Sequence, residues 1–167
     1  LDLLNVGEKE KISSMVELYE GKFKELKKSY SWMLLKQVIS CGIGFHHAGL
    51  LPIIKEFMEN LFEQNLCKVL YATETFAVGI NYPVKTVLFN SLRKYDGKAF
   101  RNLSGSEYLQ MAGRAGRRNL DSFGLVFTLT DYRAIEGNEF LDIGSLNVEP
   151  VKSQFKLSYN TVLNLAR

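Results

Sequence analysis

Apolar residues recur at helical spacing in three stretches of the first half of the chain. In residues 8–28 they lie three or four positions apart, and lysine and glutamate fill the other face. Gly21 falls inside this pattern, where a glycine weakens a helix and can divide it. Two further helices are predicted over residues 31–40 and 53–64, with Pro52 at the first helical position of the later one.

Four short apolar runs lack helical spacing and are rich in β-branched and aromatic residues, which predicts strands. They are residues 43–45, 68–71, 86–89 and 124–130. Such continuous runs are typical of parallel strands that are covered on both faces. Ser104 and Glu107 form a capping-box pattern that opens another helix. The order of strand, helix, strand, strand, helix and strand predicts an α/β layered domain.

The composition allows one domain with a hydrophobic core and argues against a metal site and a membrane span. Of the 167 residues, 46% are hydrophobic and 23% are charged, so disorder is not expected. The cysteines Cys41 and Cys67 and the adjacent His46 and His47 fit no metal-ligand spacing, so no metal site is predicted. Residues 37–54 are uncharged, but three glycines and a proline interrupt them, so no membrane span is predicted.

The positive charge of the chain is concentrated in one region. Lysine and arginine number 21 against 18 acidic residues, which gives a net charge of +3. Residues 93–118 hold seven of these cations and only two acidic residues, so the rest of the chain is slightly negative. Either a local anion site or a solvated basic face accounts for this concentration.

The histidine segment, residues 44–52 with the sequence GFHHAGLLP, follows a predicted strand. Gly49 allows a ligand to approach the backbone, and the two histidines can bond phosphate oxygens. A glycine turn with one half-buried histidine is the simpler interpretation of the same residues.

The threonine segment, residues 72–83 with the sequence ATETFAVGINYP, also lies at a predicted strand end. The hydroxyls of Thr73 and Thr75 suit contacts to a phosphate backbone that position it without reading bases. Gly79 and Asn81 can shape a turn beside a ribose or phosphate. The alternative is a loop whose threonines cap a helix.

The arginine segment, residues 110–118 with the sequence QMAGRAGRR, is the strongest candidate for an anion site. If the helix continues, Arg114 and Arg117 lie on one face and their guanidinium groups can converge on one anion. Gly113 and Gly116 cost a helix roughly 1 kcal/mol each relative to alanine, so helix stability does not explain them.

In this order and at these separations, the three segments resemble motifs IVa, V and VI of superfamily two helicases. Within that superfamily the chain resembles the superkiller-type DExH RNA helicases that serve the RNA exosome. The resemblance covers most of residues 41–130, and RKYDGKAF and SGSEYLQMAGRAGRR look more like the nuclear branch than the cytoplasmic one. Asn119 stands where the family usually has glycine.

The resemblance implies a fold and a domain division. The chain would be a second RecA-like domain, a three-layer α/β fold whose parallel sheet has helices on both faces, and would be incomplete at its N-terminus. This domain would cover residues 1–146, and residues 147–167 would be a connector and the start of a winged-helix domain. Neither a GxxxxGK[ST] loop nor a DExH box occurs in the sequence, so ATP with Mg²⁺ would be bound mainly by the first RecA-like domain.

The resemblance also implies residue roles. Arg114 and Arg117 would meet the γ-phosphate, and Gln110 would orient the attacking water or contact that phosphate. Gly79 and Asn81 would lie by the nucleotide. RNA would be contacted by Thr73, with weaker candidates at Thr75, His47 and Gly49.

For the whole protein, the resemblance implies an ATP-dependent 3′-to-5′ RNA helicase that unwinds RNA and feeds it to the exosome. Its partners would be RNA, the exosome with its adaptor-complex proteins, and the first RecA-like domain in cis, in the nucleus or alternatively in the cytoplasm. This segment alone would be inactive. A non-catalytic adaptor that keeps the fold and binds RNA or protein, and a related DNA-repair helicase, are the alternatives.

Overall fold

The computed structural model describes residues 2–79 and 82–129, with the backbone alone at residues 77–79. The helices are α1 (Val6–Lys22), α2 (Tyr30–Ile39), α3 (Pro52–Glu63), α4 (Glu74–Gly79) and α5 (Gly105–Ala112), and a 3₁₀ helix spans Lys24–Lys28. The strands are β1 (Ile43–His46), β2 (Val69–Ala72), β3 (Thr86–Phe89), β4 (Arg93–Tyr95), β5 (Phe100–Asn102) and β6 (Leu125–Thr128). No helix in these described ranges is long and apolar enough to cross a membrane.

The described residues divide into two compact units. The first unit runs to Phe89 and resumes over Gln110–Phe127, and the second contains Asn90–Leu109. The predicted domain of residues 1–146 and the predicted connector of residues 147–167 remain predictions, because residues 130–167 lie outside the described part of the chain.

Helix α1 begins and ends at local signals. The Asn5 side chain accepts a hydrogen bond from the Glu8 amide, and the Glu8 carboxylate accepts one from the Asn5 amide, which completes a capping box. Gly21 does not divide the helix, which continues to Lys22 and ends at Phe23. Phe23 packs against the core, so tertiary contacts rather than the glycine set the end of the helix.

Helices α2 and α3, both predicted, carry the centre of the core in the first unit. Trp32, Phe57 and Ile54 are fully buried, and the Trp32 and Phe57 rings meet edge to face with centroids 4.8 Å apart. The Tyr19 ring of α1 also meets Phe57, with centroids 4.9 Å apart. Edge-to-face pairs of this kind stabilise a core by about 0.5–1.5 kcal/mol beyond the area that they bury.

A single carboxylate ties α1 to α2. Glu20 accepts a hydrogen bond from Trp32 Nε1 at 2.9 Å and one from Lys36 Nζ at 2.6 Å, and its second oxygen lies 3.6 Å from Lys27 Nζ. These partners lower the pKa of Glu20, the Lys36 bond most of all. The indole nitrogen of a buried tryptophan therefore has its required acceptor.

The α/β prediction is confirmed, and the described strands pair two by two. β1 and β2 are parallel, with Ile43 opposite Val69 and His46 opposite Ala72. β3 pairs with β6, and β4 pairs with β5 in an antiparallel hairpin.

The expected burial of both faces of these strands is wrong for the described residues. Leu70 packs against the core, whereas Tyr71, which points to the opposite face, is 70% exposed. Leu88 and Phe127 are more than half exposed as well.

The second unit is organised by Glu107, which the sequence predicts as a capping residue. Its carboxylate accepts from the Ser104 amide, and the Ser104 hydroxyl accepts from the Glu107 amide, so the capping box is confirmed. The same carboxylate accepts two hydrogen bonds from Arg101 at 2.8 Å and one from Lys94 at 2.9 Å. These bonds hold the pKa of Glu107 well below its usual range, the Arg101 bonds most of all. The β4–β5 hairpin is thereby joined to the start of α5.

We expect Glu20→Ala to lower the local free energy of unfolding of α1 and α2 by about 1–3 kcal/mol, because a buried indole donor loses its acceptor. Glu17→Ala is the matched control on the same helix, where Glu17 is exposed, and should change it by less than about 0.5 kcal/mol. Hydrogen exchange of the α1 and α2 amides measures both effects. Equal exchange in the two variants would contradict this account.

A second expectation concerns Gly124, which directly precedes β6. A Cβ built there would collide with the carbonyl of Ala115 and lie 2.6 Å from the Gly116 amide nitrogen, both of which are backbone. Gly124→Ala should therefore destabilise the first unit by about 1–3 kcal/mol and speed exchange at residues 113–118. Gly21→Ala is the control, since a Cβ at Gly21 meets nothing within 4 Å, and should stabilise α1 by up to about 1 kcal/mol. Unchanged exchange at residues 113–118 in Gly124→Ala would contradict the prediction.

Candidate functional site

The histidine and threonine segments meet at the carboxyl ends of β1 and β2. The last paired residues of the two strands are His46 and Ala72, and the amide of the next residue, Thr73, donates to the His46 carbonyl at 3.1 Å. In open α/β sheets ligands bind outside this edge, where the loops that follow neighbouring strands lie together. The two segments thus form one side of a candidate site.

The threonine hydroxyls lie side by side in the exposed part of that edge. Thr73 Oγ1 and Thr75 Oγ1 are 2.9 Å apart, and both residues are exposed. Their mutual hydrogen bond uses one of the two hydroxyl protons, which leaves the other to donate elsewhere. The loop expected over residues 72–83 is in part the short helix α4, which the Thr73 carbonyl helps to start by accepting from the Phe76 amide.

His47 and Gly49 form a tight turn. The Gly49 amide donates to His47 Nδ1 at 3.2 Å, so Nδ1 is an acceptor and the proton of a neutral ring is on Nε2. His47 also stacks on Phe45, with centroids 6.1 Å apart. This geometry is that of the glycine turn with a half-buried histidine, and the RNA contact assigned to these two residues stays a prediction.

The neighbouring His46 has a structural environment that the sequence did not reveal. It is only 4% exposed, its Nε2 lies 3.1 Å from Glu59 Oε1 of α3, and its ring meets Phe76 of α4 at 5.0 Å. Its Nδ1 has no hydrogen-bond partner among the described residues. His46 therefore connects the core helix α3 to the threonine segment.

The arginine segment does not continue the helix, so the expectation that Arg114 and Arg117 share a helical face is wrong. Helix α5 ends at Ala112, and Gly116 has a φ of +93°, a conformation that glycine adopts without steric cost. The Gly116 amide donates to the Val84 carbonyl at 2.6 Å, and the Val84 amide donates to the Arg114 carbonyl at 2.8 Å.

These backbone bonds set the arginine segment beside the residue that follows the threonine segment. Val84 pairs with Ala115 in a parallel bridge, immediately after Pro83. Gln110 is exposed on α5 and Arg114 is half-buried in the turn after it. The three sequence segments are therefore parts of one compact unit, although no helix face aligns the two arginines.

Arg117 is held by Asp121, a residue that the sequence did not single out. Arg117 Nε and Nη2 donate to Asp121 Oδ2 and Oδ1 at 2.9 and 3.0 Å, and the Arg117 amide donates to Oδ2 at 3.0 Å. These bonds from Arg117 lower the pKa of Asp121 to about 2. Because the folded pKa lies below the ordinary value, this ion pair adds stability above about pH 4 and loses it as the pH falls through about 2.

The concentration of cations in residues 93–118 is partly neutralised. Lys94 and Arg101 pair with Glu107, and Arg117 pairs with Asp121, which lies three residues beyond the stretch. The excess of positive charge that the sequence suggests is therefore smaller in the folded chain.

The two residues that were predicted to lie by the nucleotide fall at the gap between the described ranges, residues 2–79 and 82–129. Gly79 is the last residue of α4, and Asn81 lies outside the described residues. In the part of the chain that is described, no cluster of three or more histidine, cysteine or acidic side chains could hold a metal ion.

The model of the helicase conserved C-terminal domain matches residues 1–119. Exosome RNA helicase MTR4 of Mus musculus is 55% identical over 128 residues, which are 75% of this chain and 12% of that protein. ATP-dependent RNA helicase mtr4 of Schizosaccharomyces pombe is 52% identical over 75% of this chain and 11% of its own length.

A second branch of relatives matches the whole chain. Superkiller complex protein 2 of Homo sapiens is 42% identical over 168 residues, which are 100% of this chain and 14% of that protein. The chain thus spans between 11% and 14% of the length of these relatives. It belongs to the helicase conserved C-terminal domain family, whose fold is RecA-like, and within that family to the superkiller-type RNA helicases.

Proposed function

We propose that this chain is the second motor domain of an ATP-dependent 3′-to-5′ RNA helicase that unwinds RNA and feeds it to the exosome. One observation carries the proposal furthest: the 2.6 Å hydrogen bond from the Gly116 amide to the Val84 carbonyl. It joins the arginine segment to Val84, the residue that directly follows the threonine segment. A motor needs this proximity, since groups that respond to the nucleotide must be coupled to groups that hold RNA.

In this proposal Arg117, together with Arg114, contacts the γ-phosphate of ATP. Arg117 is 35% exposed, and a guanidinium is the side chain best suited to phosphate oxygens, so the residue fits an anionic ligand. An arginine finger stabilises the charge that develops on the transferred phosphoryl group, an effect worth about 10³–10⁵ in rate where it has been measured. Gln110, exposed on α5, orients the attacking water or contacts the same phosphate.

ATP and Mg²⁺ are bound mainly by the first RecA-like domain in this proposal. Gly79 and Asn81 lie by the nucleotide, with Asn81 near the ribose.

RNA is contacted at the carboxyl edge of β1 and β2. Thr73 donates its hydroxyl to an RNA phosphate, and Thr75, His47 and Gly49 are additional contacts. The exposed pair of hydroxyls 2.9 Å apart supports this assignment, because hydroxyl and backbone donors hold phosphates without reading bases.

The partners in this proposal are RNA, the exosome with its adaptor proteins, and the first RecA-like domain of the same protein. Nuclear residence is proposed because the segments RKYDGKAF and SGSEYLQMAGRAGRR resemble the nuclear branch of the family more than the cytoplasmic one. Imaging of the tagged full-length protein tests this, and a cytoplasmic signal would assign it to the superkiller branch.

In the full-length protein, Arg117→Ala should lower RNA-stimulated ATP hydrolysis by about 10³-fold or more, because the charge on the transferred phosphoryl group loses its partner. RNA binding should stay within about threefold of the wild-type value. Steady-state ATPase assays and RNA binding titrations measure the two quantities.

Arg118→Ala is the matched control, since Arg118 is the adjacent arginine and is exposed. It should leave ATP hydrolysis near the wild-type rate. Equal losses of hydrolysis and RNA binding in Arg117→Ala would instead make Arg117 an RNA-backbone contact, and unchanged hydrolysis would favour the non-catalytic adaptor.

The 167-residue segment by itself should hydrolyse no ATP, because its sequence holds neither a phosphate loop nor a DExH box. A Mg²⁺-dependent phosphate-release assay on the purified segment, with and without RNA, checks this. Turnover above the buffer background would show that the segment contains a complete nucleotide site, contrary to the proposal.

A further inference from the structure

The turn formed by residues 117–121 joins one arginine to one carboxylate by three hydrogen bonds. Arg117 donates to Asp121 through its amide, its Nε and its Nη2, at 3.0, 2.9 and 3.0 Å. The Asp121 side chain is only 8% exposed. A carboxylate that is buried and satisfied in this way has one orientation, and it imposes one orientation on the guanidinium.

The backbone of the turn fixes where the carboxylate lies. The amides of Leu120 and Asp121 both donate to the Arg117 carbonyl, at 3.1 and 2.9 Å. Asn119 has a φ of +66°, in the left-handed region that asparagine tolerates better than most residues other than glycine. The asparagine that replaces the family's usual glycine therefore satisfies the same conformational requirement.

The carboxylate occupies one edge of the guanidinium and leaves another part of it available. Nε and Nη2 are used by Asp121, whereas Nη1 makes no hydrogen bond among the described residues. The Arg117 side chain is 35% exposed, so an anion can reach it. The Arg117 side chain is thus held in one orientation before an anion binds, which lowers the entropy that is lost on binding.

We propose that Asp121 is a positioning residue for Arg117 in ATP hydrolysis. The inference rests on the proposed function, since it takes Arg117 to be the arginine that meets the γ-phosphate. Asp121 contacts neither nucleotide nor RNA and acts only by orienting the guanidinium. Rate enhancement by such a group requires that it be correctly placed before the transition state forms.

The test uses the full-length helicase carrying Asp121→Asn, a change that keeps the size of the side chain and removes its charge. An amide offers one acceptor oxygen, so it cannot accept from Nε and Nη2 in the same way. We expect kcat for RNA-stimulated ATP hydrolysis to fall between about 10-fold and 100-fold. KM for ATP and the Kd for RNA should each change by less than about threefold, because ground-state binding relies on other groups. A fall in RNA affinity equal to the fall in kcat, or an unchanged kcat, would overturn the inference.

Asp121→Glu separates positioning from folding. It keeps the negative charge but lengthens the side chain, so it should preserve the Tm more fully than Asp121→Asn while still lowering kcat. If Asp121→Asn is too unstable to assay, a wild-type kcat in Asp121→Glu overturns the inference by itself. Asn119→Gly is the matched control in the same turn, and it should leave kcat unchanged because glycine adopts the positive φ at Asn119.

A double-mutant cycle with Arg117→Ala distinguishes this inference from the proposed function. If Asp121 acts only through Arg117, Asp121→Asn should reduce the hydrolysis rate no further in the Arg117→Ala background. An additional loss of tenfold or more would show a separate structural role and overturn the inference. If Arg117→Ala leaves hydrolysis intact, the proposed function fails. If Arg117→Ala abolishes hydrolysis and Asp121→Asn does not affect it, only the positioning role fails.

Discussion

The candidate site depends on the close approach of two stretches of backbone. Gly116 donates to the carbonyl of Val84, and a Cβ on Gly116 would lie 3.2 Å from the Gly124 nitrogen, while a Cβ on Gly124 would collide with Ala115. The approach is possible because both positions are glycine. Gly116, with its positive φ, and Gly124, where a side chain would collide with Ala115, therefore let the turn after α5 lie against the start of β6, and the cost of Gly116 in helix stability is offset by a close approach that side chains would prevent.

The periodic helices and the apolar strands were predictable, whereas short or irregular elements were not. Helix α3 has twelve residues of regular apolar spacing and begins at a proline, and its prediction holds to within a residue. Helix α4 has six residues, and strands β4 and β5 have three each, which is too few for a period to be recognised. Helix α4 depends on the contact of Phe76 with His46, and β4 and β5 depend on Glu107, whose ion pairs join residues that are up to thirteen positions apart.

The site residues were predictable in type but not in arrangement. The sequence indicates which side chains can meet an anion, but it placed Arg114 and Arg117 on one helical face, and the backbone turns after Ala112 instead. A charge count from the sequence also treats every cation as able to bind an anionic ligand, although Lys94, Arg101 and Arg117 have acidic partners in the folded chain. Asp121 could have been found from its spacing of four residues from Arg117, a separation at which a turn brings side chain and backbone together. Without the turn, that spacing is common to many unrelated pairs, so only the structure makes it meaningful.

A paired arginine differs from a free one in the anions that it selects. Together, Arg117 and Asp121 carry no net charge, so the pair attracts a distant anion weakly, and screening reduces that attraction further. An anion at Nη1, by contrast, is nearer to the guanidinium than to the Asp121 oxygens, which bond to Nε and Nη2. Attraction is therefore concentrated at one position and at short range. Such a group binds a correctly placed phosphate strongly and contributes little to loose binding of a polyanion. Stabilising a transition state requires this selectivity.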